Sequence, residues 1–309
     1  MPPSAFNFNR TMLCSGPGTF YRGAEKIYSS SGINAELDPV TQKLPSDLVG
    51  DLDTIKTDQR ARISVTNTGH ITPGILTLLY PWRNPLASIG KGIFGTADIP
   101  AWIHSTAGKK VTFKNTALVQ PPPLILSRTK TAFGTAEFWG LIDLLGDTAA
   151  GLHKIETAPY PPADLPLLTA LGLTGALYVA TWNNFTLGGT KNGWEISFEP
   201  EFEDVTCDEL GTIDRIFAGM AVIAKCQPLG WDESKIFDNS PIATGLGMSI
   251  VKETPLNIAS ATGLDVTLYN AALITTPMQW GKTTIRAGEL AFAAHINSEG
   301  KLYDVKLAS

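Results

Sequence analysis

The chain carries one stretch twice. A shift of 155 residues lays residues 100–122 (PAWIHSTAGKKVTFKNTALVQPP) over residues 255–277 (PLNIASATGLDVTLYNAALITTP). Identities fall at Pro100/Pro255, Ile103/Ile258, Ser105/Ser260, Gly108/Gly263, Val111/Val266, Thr112/Thr267, Asn115/Asn270, Ala117/Ala272, Leu118/Leu273 and Pro122/Pro277. Ten matches in twenty-three gapless positions exceed what unrelated segments share. A repeat of this kind predicts two similar units in tandem, and a function that uses both.

Other segments echo more faintly. The phrase LCSGPGTFY from Leu13 returns as LTGALYV from Leu173, so each opens one copy. Residues 53–82 alternate like a strand pair and lie over residues 203–231 at a shift of 150, with Thr57-Asp58 against Cys207-Asp208, Ile63 against Ile213 and Gly69 against Gly219; after one deletion Trp82 meets Trp231. Residues 29–49, rich in Gly, Pro, Asp and Ser, read as a long loop or arm, as do residues 183–192. Residues 83–99 and 232–254 differ in length and read as diverged loops.

In each copy one short helix is expected at the start of the repeated stretch. Asp98 caps it, Pro100 sits in its opening turn and Gly108 ends it; Pro255 and Gly263 do the same in the second copy. Strands follow at residues 110–113 and 265–268, at 117–120 and 272–275, and at 134–142 and 286–296. Residues 143–171 join the copies, and four prolines within residues 157–166 stiffen that segment against strand pairing. The tail turns at Gly300 and ends in an edge strand. The predicted fold class is mainly β with one short helix per repeat, as two tandem β-sandwich domains: residues 1–156, a Pro-rich linker 157–172, and residues 173–309.

Each unit of about 150 residues is large enough to bury its own core. Apolar residues make up 43% and charged residues only 17%, a thin charge cover that suits a surface partly covered by other copies. The net charge of -5 argues against a nucleic-acid binder, which needs basic groups to replace phosphate counterions. The first residues lack the basic start and apolar core of a signal peptide, and no long uncharged apolar run occurs; a soluble protein of a reducing cytosol is expected, with no membrane partner.

No residue pattern carries catalysis, a cofactor or a metal. Cys14, Cys207 and Cys226 are odd in number without CxxC spacing and read as buried free thiols. Gly90-Lys-Gly92-Ile-Phe-Gly95 matches a dinucleotide fingerprint in letters only, lacking the preceding strand and following helix, and reads as a loop. His70, His104, His153 and His295 are scattered without ligand spacing. Asn184-Phe-Thr186 fits a glycosylation acceptor, idle without secretion. Glu195, Glu199, Glu201 and Glu203 keep the odd spacing that gathers them on one face of a strand, with Asp204, Asp208 and Glu209 following. A glycosidase pair or a calcium site lacks every other part of its signature, which leaves a solvated acidic face or an acidic surface shared in an assembly; Asp47, Asp51, Asp53 and Asp58 lie in the corresponding region of the first copy.

The phrases GKKVTFKNTALVQPPPL and GTAEFWGLI, with their second versions GLDVTLYNAALITTPMQW and AGELAFAAHI, resemble the tail tube (major tail) proteins of long-tailed bacteriophages. The opening Gly-Pro-Gly-Thr-Phe-Tyr is similar to that family's start. The resemblance covers roughly residues 11–142 and 173–296. It implies tail-tube-like β-sandwich domains in stacked sixfold rings, a virion tail protein made in the host cytoplasm. It also implies viral DNA passing through the lumen without specific binding, and tail terminator, tape measure and baseplate proteins as partners. Two units per chain imply a homotrimeric, pseudo-sixfold ring. A tail terminator, distal tail or baseplate ring protein is the alternative within the virion; a tandem carbohydrate-binding module is the alternative outside it.

Overall fold

The computed structural model describes residues 18–46, 50–67, 70–94, 99–128, 131–141, 153–160, 177–207, 211–229, 231, 233–239, 241–251, 253–261, 263–275, 278–280 and 285–308. They form mainly antiparallel β-sheets, with two short α-helices among the described residues. The first half runs β1 (Gly18–Arg22), β2 (Glu25–Ser46), β3 (Gly50–Asn67), α1 (Pro73–Leu79), a 3-10 turn at Pro85–Ala87, β4 (Ala101–Ser105), β5 (Lys109–Phe113), β6 (Asn115–Gln120), β7 (Leu124–Leu126), β8 (Thr131–Phe133), β9 (Thr135–Leu141) and β10 (His153–Thr157). The second runs β11 (Tyr178–Trp182), β12 (Phe185–Leu187), β13 (Gly189–Cys207), β14 (Gly211–Leu229), α2 (Glu233–Asp238), a 3-10 turn at Pro241–Ala243, β15 (Leu256–Ser260), β16 (Leu264–Leu268), β17 (Ala272–Thr275), β18 (Met278–Trp280), β19 (Ile285–Ala287), β20 (Leu290–Ala293) and β21 (Tyr303–Leu307).

The lateral order repeats as well. In the first half it is β10-β5-β4-β1-β2-β3-β9-β6; in the second it is β21-β16-β15-β11-β12 and, beyond Gly188, β13-β14-β20-β17. β12 and β13 therefore cover in two pieces what β2 spans in one. Register irregularities in the β2–β3 hairpin fall at Ser29/Ile33, Val40/Thr41 and Leu44/Pro45, and those of β13–β14 at Thr190/Trp194, Glu201/Phe202 and Val205/Thr206, every one related by the same shift of 161 residues. The shift of 150 read from sequence is thus not the structural one. Trp82 follows α1 whereas Trp231 precedes α2, so these two are not counterparts.

Several expectations are corrected. The segments expected as helices are strands β4 and β15, each turning back on its successor. Ser105 pairs with Lys109 across a three-residue loop, and Gly108 takes φ +81 while its N–H donates to Ser105 O at 2.9 Å. A glycine in the left-handed region closes such a hairpin as readily as it ends a helix, and Trp102, Ile103 and Val111 favour the pleated alternative. Among the described residues each half holds one α-helix, earlier in the chain than expected. Thr72 Oγ1 accepts from Ile75 N–H at 3.1 Å, Pro73 occupies the first turn, and Ile75, Leu76 and Leu79 face the core. Residues 53–82 are accordingly one strand and one helix. Residues 29–49 contain strand β2 up to Ser46, and residues 183–192 hold the β11–β12 turn, β12 and the start of β13. Asn183 and Asn184 form that two-residue turn with φ 48 and 64, the double left-handed geometry that hairpins prefer. The joining segment contains strand β10, paired to β5; its residues 161–172 lie outside the described residues, as do Leu13, Cys14, Gly95 and Asp98. The tail turns at Gly300 (φ +79) into the edge strand β21, as read.

One apolar cluster joins the halves. Phe20, Ile63, Phe113 and Phe138 of the first and Trp182, Phe198, Phe217, Phe292 and Tyr303 of the second belong to it, all at most 1% exposed. Each such side chain contributes roughly 1.5–3 kcal/mol on burial, so the contact between halves is part of the core.

Candidate assembly surface

The contact between the halves starts from a proline run. Pro121, Pro122 and Pro123 follow β6 and have no N–H to continue its ladder, so the chain leaves the sheet. It then forms the β7–β8 hairpin, and β7 adds to the edge of β13 in the second half: Leu124 opposes Ile196, Ile125 opposes Glu195 and Leu126 opposes Trp194. Leu124, Leu126, Trp194 and Ile196 are all at most 2% exposed. Gly193 makes the approach possible: φ is +87, and a Cβ there would strike Leu126 O and Ser127. Gln120 Nε2 donates to Phe198 O at 2.6 Å, and Tyr80 stacks obliquely on Phe198 while its hydroxyl donates to Pro122 O at 2.9 Å. Full burial pushes the Tyr80 phenol well above its ordinary value, with Tyr303 adding to the effect.

A second strip lies on β14. Gly90 N–H donates to Phe217 O, Phe217 N–H to Lys91 O and Ile93 N–H to Arg215 O, each within 2.9–3.0 Å. Trp82 stacks on Phe217 at 5.2 Å, and Phe94 N–H donates to Asp214 Oδ1 at 3.2 Å. Gly92 has to be small here, because a Cβ would run into the Asp214 carboxylate. The loop expected around Gly90 and Gly92 is therefore a docking strip. Elsewhere Asp58 accepts from Thr212 N–H and Oγ1–H, and Arg83 pairs with Asp304 at 3.1 Å. Arg215 and Arg60 both lie over the Trp139 ring, at 4.1 and 4.4 Å.

Among the described residues the counterparts of these contacts are open. Shifted by 161 residues, Trp194, Ile196 and Phe198 (2%, 0% and 1% exposed) become Ile33, half-buried, Ala35, exposed, and Leu37, 49% exposed. Gly193 becomes Gly32, which keeps φ +93 but would meet nothing within 4 Å of an added Cβ. Ile216 is half-buried, whereas Ile55 is exposed. After α2, the loop corresponding to residues 88–94 carries Leu246 fully exposed and Met248 69% exposed. The β18–β19 hairpin, counterpart of β7–β8, forms a two-stranded sheet of its own.

The residues singled out from sequence fall as follows. Glu195, Glu199, Glu201 and Glu203 all lie on β13, exposed, while Trp194, Ile196 and Phe198 of the same strand are buried. Asp204 pairs with Arg215. Asp208, Glu209 and Asp47 lie outside the described residues, as does the Asp51 side chain. Asp53 and Asp214 are structural counterparts; each carboxylate accepts from the next residue's N–H at 2.7 Å, and Asp214 also accepts from Phe94 N–H of the other half. His104 is buried with Nε2 at 3.0 Å from Ala158 O, and His70, His153 and His295 are half-buried elsewhere. Cys226 is buried, which pushes its thiol pKa up, and Cys207 is half-buried. Five tryptophans, Trp82, Trp139, Trp182, Trp194 and Trp231, are buried and Trp102 is half-buried. Sequence reasoning passed over β7, Gly193 and the Gly90 strip as contact elements; the proline run before β7 is the signal that marks the departure.

No protein-family model matches the chain, and no curated protein matches it.

Proposed function

We propose that this chain is a tandem duplication of a tail-tube-like β-sandwich, with units near residues 1–156 and 173–309, and that it builds rings of a bacteriophage tail tube. The observation that carries the reading is the joint between the halves. Two units of like strand order meet through unlike surfaces, a hairpin and loop on one against two strands on the other. A contact between unlike faces of like units propagates head to tail, and it closes into a ring when the rotation allows. Three chains would close a pseudo-sixfold ring, and stacked rings would form the tube. Stacking partners would then be further copies, with terminator, tape measure and baseplate proteins at the ends.

The exposed row Glu195, Glu199, Glu201 and Glu203 supports a lumen that repels the DNA backbone and lets it slide. The burial of Trp82, Trp139, Trp182, Trp194 and Trp231 speaks against a carbohydrate-binding module, which needs aromatic side chains displayed on one face. Negative-stain electron microscopy of concentrated protein tests the proposal. Rings of three chains, stacked into tubes, are expected; single rings at every concentration would move the protein to a terminator or distal-tail role, and a monodisperse monomer at all concentrations would overturn the ring itself.

A further inference from the structure

Two elements of the first half are donors in the joint, hairpin β7–β8 and the strip at residues 88–94, and two strands of the second half are receivers, β13 and β14. The second half owns corresponding donors, hairpin β18–β19 and the loop at residues 244–251. The first half owns corresponding receivers, β2 and β3. Among the described residues none of these four has its partner: β18 and β19 pair only with each other, Leu246 and Met248 project from the loop, and Ala35, Leu37 and Ile55 are exposed on the receiving hairpin. An unpaired strand edge beside a row of exposed apolar side chains is a hazard unless another chain covers it.

We infer that a second copy of this chain covers it, through a joint that repeats the one inside the chain. The internal pairs Trp194↔Leu126, Glu195↔Ile125 and Ile196↔Leu124 carry over by the strand equivalences to Ile33↔Trp280, Asn34↔Gln279 and Ala35↔Met278 between neighbouring copies. β18 thus pairs antiparallel with the open edge of β2, and the loop bearing Leu246 and Met248 lies along β3 beside Asp53 and Ile55. Gly32 supplies the room: at Gly193 the same glycine geometry is filled by Leu126 O and Ser127, and at Gly32 the space is empty. Asp53 offers the neighbour's loop the carboxylate that Asp214 offers to Phe94 N–H. The occupant is a second copy and no unrelated protein, because among the described residues the chain's own β18–β19 hairpin matches the internal donor in shape and register. The inference rests on the head-to-tail ring proposed above and gives that ring its joint.

The test uses the full chain with Cys14→Ser, Cys207→Ser, Asn34→Cys and Gln279→Cys, leaving the buried Cys226 in place, oxidised after assembly and run on a non-reducing gel. Residues directly opposite in an antiparallel pair are within disulfide reach, whereas a diagonal pair two positions off sits at roughly 7–8 Å. A ladder of covalent multimers ending at the ring number is expected. It should be missing from the two variants that carry only one of the added cysteines and weak for the Glu36→Cys, Gln279→Cys pair. Assembled particles without an Asn34–Gln279 ladder, or a bond formed within one chain, would overturn this joint and leave the ring proposal standing; absence of any assembly would overturn both. Independently, Leu246→Asp changes a fully exposed side chain. It should leave the circular dichroism spectrum unchanged while weakening association at least about tenfold by sedimentation. Unchanged association would remove the loop from the joint.

Discussion

Gly32 and Gly193 hold the same backbone conformation at the same point of two hairpins, φ +93 and +87, yet only Gly193 has another strand packed against its missing Cβ. The pair separates two costs that a glycine substitution usually mixes. Alanine at either site meets the left-handed penalty of about 1–2 kcal/mol. At Gly193 it also displaces the β7–β8 hairpin. Denaturant unfolding of the monomer should find Gly193→Ala the more destabilising of the two by more than about 1 kcal/mol, while Gly32→Ala should impair assembly most. Equal losses would mean that the hairpin does not seat against Gly193.

Phe198 and Leu37 give a matching contrast of side chains. Phe198 is 1% exposed between Tyr80 and Tyr303, and Leu37 is 49% exposed at the equivalent place. Phe198→Ala should cost about 3–5 kcal/mol of folding stability. Leu37→Ala should change monomer stability by no more than about 0.5 kcal/mol. Thermal melts of dilute protein check both, and a large loss from Leu37→Ala in the monomer would contradict an open edge at β2.

Alkaline pH should attack the joint selectively. Burial raises the pKa of both Tyr80 and Tyr303 above the ordinary phenol value of 10.0. In both, the folded state holds the proton more tightly than the unfolded state, so stability is intact below pH 10 and declines as pH climbs beyond it. Stability measured from pH 9 upward should fall with a slope that Tyr80→Phe reduces. Ultraviolet titration should show these two phenols ionising only as the protein unfolds; ionisation in the folded protein near pH 10 would contradict their burial.

Charge on the β13 face can be tested by reversal. Changing Glu199, Glu201 and Glu203 to lysine turns an exposed acidic row basic without touching a buried contact. Assembled wild-type protein should ignore double-stranded DNA at low salt. The triple variant should retain DNA in a filter assay, with binding that weakens as salt rises. Equal retention by both would remove this row from the channel wall.

Thiol labelling separates the two described cysteines. Cys226 is buried with its pKa raised, while Cys207 is half-buried at the end of β13. Native protein treated with iodoacetamide near neutral pH and mapped by mass spectrometry should carry label at Cys207 and little at Cys226. Comparable labelling would contradict the β14–β20 packing over Cys226.

The identities between residues 100–122 and 255–277 fall on β4 to β6 and on β15 to β17, elements that hold like places in the strand order. A turn glycine misled the reading of local structure there: Gly108 closes a hairpin in the conformation a helix would use to stop. β2 was hidden by Pro39, Pro45 and Gly32, which read as loop residues. Prolines are tolerated in β2 because its register is irregular beside Pro45 and, among the described residues, no strand pairs with its other side from Ile33 onward. The acidic row was legible because strand alternation alone puts Glu195, Glu199, Glu201 and Glu203 on one face. The joint was not, since Leu126 and Trp194 are brought together by the whole fold and by no local pattern.

The contact made when β7 lies along β13 forms while a single polypeptide folds, so its partners never search for each other in dilute solution. In the proposed ring, six such units would then come together in two bimolecular encounters where six separate subunits would need five, the last contact closing within one complex. Nucleation of a cylinder from these parts should depend less steeply on protein concentration, and a mispaired first contact has half as many chances to arise.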